Sequence, residues 1–588
     1  MRKVRVWAPK SNSVNIDLGS GRVPMTAQPR GWWSGTLPDG AVDYTFVLDD
    51  GVPLPDPRSP HQPYGVHGGS RTVDHAAFPW TDSGWQPAPL DTAIVYELHI
   101  GTFTEEGTFE AAIEHIPHLL DLGITHVELM PVAEFPGDWG WGYDGVDLFA
   151  PQHAYGGPEG LKRLVNALHA AGLAAILDVV YNHLGPAGNY LGRFGPYFTD
   201  RVRTPWGDGV NFSEGGSDEV RGFFIENALM WLGDYHFDGL RLDAVHAITD
   251  SSAVHFLEEL TSAVAGLENR LGRPLCMIAE SDLNDPRLIR PRTRGGYGLS
   301  ALWSDDFHHA LHTVLTGERT GYYSDFGYVS HLAKAIENGY VYTGEYSAFR
   351  DRRHGRPLEY GEKSRLLGYI QNHDQIGNRA NGERIGQLTG FAHARIGAAM
   401  TLLGPFIPLI FQGEEWGAGT PFQYFTNHSD PDLGRAVSNG RRQEFASFGW
   451  SPEQVPDPQD PETFRRSKLN WRELNEEPHR EMLSWYSRLI RFRREHPELA
   501  SAAAKVRFDE AQQWLAMERP GIEVICNFGR SPVRVPYGRH RGTVRFSTAD
   551  GAGADGAVPP AAVLVFENPG SSEGSPRAGE LESVPVKK

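Results

Sequence analysis

The chain has 588 residues, of which 40% are hydrophobic, and this length predicts two to four domains with a sizeable core. Its formal net charge of −19 argues against a nucleic-acid partner, because phosphates would be repelled. Two cysteines, Cys276 and Cys526, are too few for a disulfide framework. The sequence begins without an apolar signal-peptide core and contains no run of 18 apolar residues, so we expect a cytoplasmic protein with no membrane partner.

Residues 1–90 have the pattern of a β-sandwich. The runs VRVWAP, SVNIDL and DYTFVLD alternate apolar and polar residues, and Gly, Pro, Asp and Asn separate them. We therefore predict an N-terminal β-sandwich domain, similar to a carbohydrate-binding module.

Strands alternate with helices from residue 91 to about residue 500. AIVYELHI is followed by the helical pattern GTFEAAIEHIPHLLDLG, and ITHVELMPV is followed by GGPEGLKRLVNALHAAG. Together with these two runs there are eight apolar strand candidates, at residues 94–99, 125–131, 174–180, 238–243, 275–280, 301–305, 367–372 and 406–411. Eight such units favour an α/β fold with a closed (β/α)₈ TIM barrel over an open sheet. Residues 184–216 are predicted to form a long irregular loop at the barrel mouth.

β patterns return after the barrel. KVRFDEAQQWLAMERP, GIEVICNFG, GTVRFSTA and AAVLVFEN predict a small C-terminal β domain over residues 501–568. Residues 569–588 are polar and rich in Gly, Ser and Pro, which predicts a disordered tail.

Three acidic residues stand at or just past the ends of apolar runs: Asp243 in GLRLDAVH, Glu280 in CMIAES and Asp374 in QNHDQIGN. A parallel β/α barrel carries its chemistry at this end of its strands. Retaining glycosidases need two carboxyl groups about 5–5.5 Å apart, and adjacent strands are about 4.8 Å apart. Arg241 shares a strand face with Asp243 and would keep it ionised. A lone Asp at a strand end is often only a helix cap, but the combination predicts retaining hydrolysis or transfer at a glycosidic bond.

The strings DVVYNH, GLRLDAVH, IAES and QNHD, in that order, resemble the four sequence regions of the α-amylase family of glycoside hydrolases. The resemblance covers about residues 92–500. It implies that Asp243 is the nucleophile, that Glu280 is the general acid and base, and that Asp374 binds sugar hydroxyl groups and favours a distorted ring.

Further side chains are predicted to bind the substrate: Tyr143, Asp178, His183, Arg241, His373, Glu415 and Trp416. The resemblance implies that His183 and His373 hydrogen-bond hydroxyl groups of the sugar in the cleavage subsite, and that Tyr143 is the ring beneath that sugar. Glu415 and Trp416 come just past the eighth strand, so their position at the mouth suggests a contribution to the leaving-group subsite. For Glu415, a negative charge at a helix N-terminus is the alternative interpretation.

The substrate is indicated by strings outside the carboxylates. LPDPRSPHQPYGVHGGSRTVD, GDWGWGYDGVDLFAP, YNHLGPAGNYL and FQGEEWGAGTPFQYF resemble the group of this family that acts on maltooligosyltrehalose. This resemblance implies hydrolysis of the α-1,4 bond next to the terminal trehalose unit, with maltooligosyltrehalose and related α-glucans as binding partners.

Two alternatives remain open at this point. A 1,4-α-glucan branching enzyme shares VWAP and the early barrel pattern. A carbohydrate-binding protein without activity is the other alternative, and the presence of all three carboxylates and Arg241 argues against it. We expect no cofactor, because two carboxylates suffice for the chemistry, and no metal site, since no EF-hand pattern occurs. The sequence allows a monomer or a homodimer.

Overall fold

A closed barrel of parallel strands forms the centre of the protein. The computed structural model describes residues 2–204, 207–359, 361–446, 450–536, 542–549 and 557–567. Within these ranges the barrel has eight strands: β1 (Val95–Leu98), β2 (His126–Leu129), β3 (Ala174–Val179), β4 (Gly239–Leu242), β5 (Cys276–Ala279), β6 (Ala301–Trp303), β7 (Leu366–Gly368) and β8 (Ile407–Phe411). Each strand pairs with the next along the chain, and β8 closes the barrel against β1. The predicted TIM barrel is confirmed; β7 ends earlier than expected, because Asn372 already caps the following helix.

Side chains alternate between the inside and the outside of the barrel along each strand, and the inward positions change in character toward the carboxyl ends. Val95 on β1 and Ile176 on β3 belong to an apolar cluster inside the barrel. Two residues further along the same strands stand Glu97 and Asp178, which are also buried. The barrel therefore contains an apolar layer and, near its carboxyl end, a layer of charged side chains.

Helices cover the outside of the barrel. The longer ones are Gly157–Ala170, Ser217–Gly233, Phe256–Leu271, Asp305–Thr316, Val329–Asn338, Ile385–Leu402, Pro431–Ala446 and His479–Glu495. Gly157–Ala170 shows why they form there: Leu161, Leu164, Val165 and Leu168 recur at helical spacing and are buried. No helix in the described ranges is long and apolar enough to cross a membrane.

One predicted helix is divided in two. The pattern GTFEAAIEHIPHLLDLG forms Phe109–Ile113 and Ile116–Leu122. Pro117 stands in the first turn of the second helix, where its missing N–H costs nothing, whereas it would break a continuous helix. Gly123 ends the second helix in the left-handed conformation, with φ 94°.

The N-terminal residues form two antiparallel sheets. One contains Arg2–Trp7, Thr26–Ala27 and Trp32–Leu37, and the other contains Val14–Asp17, Arg22–Pro24, Asp43–Leu48, Pro53–Leu54 and Ser70–Arg71. Val14 and Ile16 are buried, whereas Asn15 and Asp17 are half-buried, which is the alternation that the sequence pattern predicted. This part of the chain contacts the barrel where Trp32 Nε1 donates to Glu219 Oε2 at 3.0 Å.

The C-terminal residues form an antiparallel sheet, as predicted. Its strands among the described residues are Lys505–Asp509, Trp514–Arg519, Ile522–Asn527, Thr543–Ser547 and Ala562–Glu567. Val533–Arg534 and Ala557–Val558 form a second, short pair. The predicted disordered tail, 569–588, lies outside the described residues.

The segment 184–216, predicted to be irregular, contains regular structure. It has a short helix, Leu191–Phe194, and an antiparallel pair of strands, Phe198–Thr204 and Gly207–Val210. The pairing joins Phe198 to Val210. The alternation in these strands is weak because most of their side chains are at least partly exposed, so no apolar pattern marked them in the sequence.

Candidate active site

Arg241 is fully buried and contacts three carboxylates. Its Nη1 lies 2.7 Å from Asp178 Oδ2 and 2.9 Å from Asp243 Oδ1, and its Nη2 lies 3.8 Å from Glu280 Oε2. Its guanidinium also lies 4.3 Å from the ring centroid of Trp303 on β6. One cation therefore joins side chains from three neighbouring strands, β3, β4 and β5.

Asp243 directly follows β4, and its surroundings favour the carboxylate form. Its N–H donates to the carbonyl oxygen of Val179 on β3 at 3.1 Å, and Asn182 Nδ2 donates to its Oδ2 at 2.9 Å. Burial acts to raise the pKa of Asp243, but the charge of Arg241 and the hydrogen bond from Asn182 oppose burial and hold that pKa below its ordinary value. A carboxylate that stays ionised at neutral pH is what a nucleophile requires.

Glu280 directly follows β5, and its surroundings favour the protonated form. Burial raises the pKa of Glu280 well above its ordinary value, and the charges of Asp243 and Asp374 raise it further against the opposing effect of Arg241. The N–H of Ala244 donates to Glu280 Oε2 at 2.7 Å. Ala244 is left-handed, with φ 40° and ψ 50°, which costs an L-residue roughly 1–2 kcal/mol. A protonated carboxyl group can donate its proton to a leaving oxygen.

The third carboxylate lies on the helix His373–Gly377, after β7. The Asp374 side chain is 40% exposed and is therefore open to the mouth. The buried His373 ring places its Nε2 2.7 Å from Tyr143 Oη and 3.5 Å from Asp374 Oδ2. Tyr143 stacks on this ring with centroids 5.2 Å apart, and its hydroxyl donates to Asp178 Oδ2 at 2.7 Å.

His183 is buried beside the same network. Its Nε2 lies 3.0 Å from the carbonyl oxygen of Tyr143, and its Nδ1 contacts Asn182 Oδ1. Burial lowers the pKa of His183, which favours the neutral ring. The structure thus brings five of the predicted substrate-binding residues into one network with the three carboxylates, and these five are Tyr143, Asp178, His183, Arg241 and His373.

Glu415 and Trp416 need correction as substrate-binding residues. Both are fully buried, although they follow β8. Glu415 accepts a hydrogen bond from Tyr96 Oη at 3.0 Å and lies 2.7 Å from His118 Nε2, and Trp416 Nε1 lies 3.3 Å from Glu473 Oε2. Their polar atoms contact Tyr96, His118 and Glu473 inside the protein, so these two side chains do not line the mouth.

Several residues of the network were not predicted. Asn182 belongs to the motif YNH, and its contact with Asp243 has no local signal beyond that motif. Glu97 lies in the apolar run AIVYELHI, where a buried charge is itself unusual and could have been noticed. No sequence pattern marks Trp303 or Ala244. The packing of Trp303 against Arg241 and the left-handed backbone of Ala244 both depend on neighbouring strands.

The geometry provides two carboxyl groups whose pKa values are shifted in opposite directions around one cation. Such a pair can attack an anomeric carbon from one side and protonate the glycosidic oxygen on the other. Among the described residues no three His, Cys, Asp or Glu side chains are arranged to hold a metal ion.

The chain is similar to known proteins over most of its length. Residues 80–194 match the family model for the alpha amylase catalytic domain, and residues 500–565 match a domain of unknown function, DUF3459. A malto-oligosyltrehalose trehalohydrolase from Rhizobium sp. (strain M-11) is 48% identical over 580 residues, which cover 96% of this chain and 97% of the relative. The chain belongs to the malto-oligosyltrehalose trehalohydrolase family.

Membership of the trehalohydrolase family agrees with the other matches. A crystal structure from Salmonella typhimurium, described as an alpha amylase, superimposes with a TM-score of 0.89 at 38% identity and covers 96% of this chain and 97% of that one. A 1,4-alpha-glucan branching enzyme from Bacillus caldolyticus is 32% identical over 340 residues, which cover 51% of this chain and 50% of the relative. The trehalohydrolase match extends over almost the full length, so it is favoured over the branching alternative.

Proposed function

We propose that this protein is a retaining glycoside hydrolase that cleaves the α-1,4-glucosidic bond next to the terminal trehalose unit of malto-oligosyltrehalose and releases trehalose. The observation that carries the reaction is the pair Asp243 and Glu280, whose pKa values move in opposite directions around the shared cation Arg241. The substrate rests on the near full-length relationship to the malto-oligosyltrehalose trehalohydrolase from Rhizobium.

In the first step Asp243 attacks the anomeric carbon and Glu280 gives its proton to the glycosidic oxygen, so that trehalose leaves with a new hydroxyl group. The bond formed joins Asp243 to the shortened glucan. Arg241 stabilises Asp243 before attack, and its charge is already in place, so it needs no rearrangement. Asp374, open to the mouth, is assigned to sugar hydroxyl groups.

In the second step the roles of Glu280 change. Its carboxylate, now deprotonated, takes a proton from water, and the resulting hydroxide attacks the anomeric carbon and releases Asp243. Two inversions at one carbon give overall retention. The raised pKa of Glu280 suits the first step, because burial favours the protonated carboxyl group that gives its proton to the leaving oxygen.

Product analysis tests the substrate. We expect the purified protein to release trehalose from malto-oligosyltrehalose and to cleave a plain maltooligosaccharide of equal length much more slowly. NMR of the fresh products should show the α-anomer first. Equal cleavage of both substrates would contradict the trehalose-specific assignment, and new α-1,6 branches in amylose without trehalose release would favour the branching enzyme.

The nucleophile is tested by Asp243→Asn, which keeps the size of the side chain and removes the attacking charge. We expect kcat to fall roughly 10⁴-fold or more, with the fold intact by circular dichroism. Asp138→Asn is the matched control, because the Asp138 side chain is 70% exposed and should tolerate the change. A folded Asp243→Asn protein with wild-type turnover would end the assignment.

We also propose that the protein is located in the cytoplasm. A cytoplasmic location is supported by the free thiols of Cys276 and Cys526, since a reducing environment keeps cysteines unpaired.

A further inference from the structure

Glu97 on β1 holds His373 by both carboxyl oxygens. Its Oε1 accepts a hydrogen bond from His373 Nδ1, and its Oε2 accepts one from the backbone N–H of His373 at 3.1 Å. Both side chains are buried, and they are 276 positions apart in the sequence. The contact therefore joins the first barrel strand to the helix that carries Asp374.

This contact decides which nitrogen of the ring carries hydrogen. A carboxylate only accepts hydrogen bonds, so Nδ1 of His373 must be protonated to meet Glu97. The other nitrogen, Nε2, faces Tyr143 Oη at 2.7 Å and Asp374 Oδ2 at 3.5 Å. Whether Nε2 donates or accepts depends on whether the ring carries one proton or two.

Charges around the ring favour two protons. The titratable and charged groups that face it are Glu97, His99, Glu128, Tyr143, Asp178, Arg241, Asp243 and Asp374. Burial acts to lower the pKa of His373, but the charges of Asp374 and Glu97 and the Glu97 hydrogen bond outweigh it and raise that pKa to about 9. With both nitrogens protonated, Nε2–H donates toward Tyr143 and Asp374, and the Tyr143 hydroxyl donates to Asp178.

We propose that Glu97 is a positioning residue that holds His373 as a doubly protonated cation whose Nε2–H is directed at Tyr143 and Asp374. A continuous chain of contacts then runs from Glu97 through His373, Tyr143, Asp178 and Arg241 to Asp243. The inference rests on the proposed function, because it assigns to Glu97 an effect on the glycosidic reaction.

Glu128 provides a matched control within the same barrel. It stands opposite Glu97 in the pairing of β1 with β2, and it is equally buried. Neither of its carboxyl oxygens has a hydrogen-bond partner in the described part of the chain. Burial, followed by the charge of Glu97, raises the pKa of Glu128 well above its ordinary value, which favours an uncharged side chain. Glu128→Gln therefore removes no hydrogen bond among the described residues, whereas Glu97→Gln removes the negative charge and one of the two oxygens that accept hydrogen bonds from His373.

Kinetics and NMR test the proposal in the full-length enzyme. We expect Glu97→Gln to lower kcat/KM roughly 10- to 100-fold, the range of one charge-assisted hydrogen bond, and Glu128→Gln to change it by less than about twofold. In ¹⁵N-histidine-labelled protein, the His373 ring should lose its second proton at lower pH in Glu97→Gln than in the wild type. Glu97→Asp, which keeps the charge, should titrate closer to the wild type. In a His373→Asn background, Glu97→Gln should add no further loss.

Three results would overturn the proposal: an unchanged His373 titration in Glu97→Gln, equal effects of Glu97→Gln and Glu128→Gln on kcat/KM, or a full additional loss in the His373→Asn background. Thermal unfolding of each variant separates these results from misfolding. If the wild type releases no trehalose, the proposed function fails, while the NMR titration still decides whether Glu97 controls His373.

Discussion

Two carboxyl groups share one guanidinium at the mouth of this barrel, and their pKa values move apart. Asp243 has the closer contact with Arg241, at 2.9 Å, together with a hydrogen bond from Asn182, and its pKa is lowered. Glu280 is 3.8 Å from the same cation, so burial prevails and its pKa is raised. The shorter distance to Arg241 and the Asn182 hydrogen bond favour the charged form of Asp243, which suits its proposed role as the nucleophile and that of Glu280 as the acid.

The pH dependence of kcat/KM follows from these directions. Asp243 must be ionised, so activity is lost as pH falls through a pKa below about 4, the ordinary value of an aspartic acid. Glu280 must be protonated, so activity is lost as pH rises through its raised pKa.

Asn182→Ala removes a hydrogen bond to the Asp243 carboxylate, so the acid limb of the pH profile should move to higher pH. Asn378→Ala, at a residue that contacts Asp374 instead, is the control. An acid limb centred above pH ~5 in the wild type would contradict the assignment.

At the scale of elements, the loop after β2 delivers Tyr143 to the mouth through an unusual backbone. Gly142 has φ +96°, and a Cβ atom there would lie 2.2 Å from the carbonyl oxygen of Pro131. Only glycine fits this conformation and this close approach. Trp141 anchors the same loop, because its Nε1 donates to the carbonyl oxygen of Gln423 at 2.9 Å.

Gly142→Ala should therefore damage the site more than the fold. Gly172→Ala is the matched control: Gly172 has φ +82°, and a Cβ atom there would meet nothing within 4 Å. The left-handed backbone should lower the free energy of unfolding of both variants by roughly 1–2 kcal/mol, and Gly142→Ala should lose more because its Cβ atom clashes with the carbonyl oxygen of Pro131. Only Gly142→Ala should also lower kcat/KM, because the clash displaces Tyr143. Urea unfolding and steady-state kinetics measure the two effects, and equal kcat/KM values in the two variants would refute this role.

At the scale of the whole molecule, a buried arginine joins the C-terminal sheet to the barrel domain. Arg519 ends a strand of the C-terminal sheet and is only 5% exposed. Its Nη1 donates to the carbonyl oxygen of Leu403 and its Nη2 to that of Leu499, both at 2.8 Å. Burial and the neighbouring Arg493 lower the pKa of Arg519 to about 9, and the hydrogen bonds to the carbonyl oxygens oppose this effect by stabilising the charged form.

Arg519→Met should loosen this attachment. The variant leaves buried carbonyl oxygens without donors, and we expect the free energy of unfolding to fall by roughly 2–5 kcal/mol. Arg465→Met is the control, because the Arg465 side chain is 62% exposed and its loss should change the free energy of unfolding by less than about 0.5 kcal/mol. Urea unfolding compares the two variants, and similar midpoints would show that Arg519 does not hold the sheet.

The sequence was sufficient for the barrel and for the order of its charged residues. Short apolar runs separated by amphipathic helices identify the strands, and the period of two along β4 places Arg241 on the face of Asp243. Both are local patterns, set by neighbours a few positions apart. The division of the helical pattern before Pro117 also has a local cause, because proline is unfavourable in the interior of a helix.

The role of each charged residue depends on tertiary contacts. Glu415 and Trp416 follow β8 as expected, yet contacts with Tyr96, His118 and Glu473 bury them. The hydrogen bonds between Glu97 on β1 and His373 on the helix after β7 likewise join residues that are 276 positions apart. Local sequence patterns are enough to predict which residues reach the carboxyl end of the barrel, because side-chain direction along a strand is periodic. Burial and hydrogen-bond partners, and hence pKa values and roles, depend on packing between segments tens to hundreds of residues apart, which no local pattern encodes.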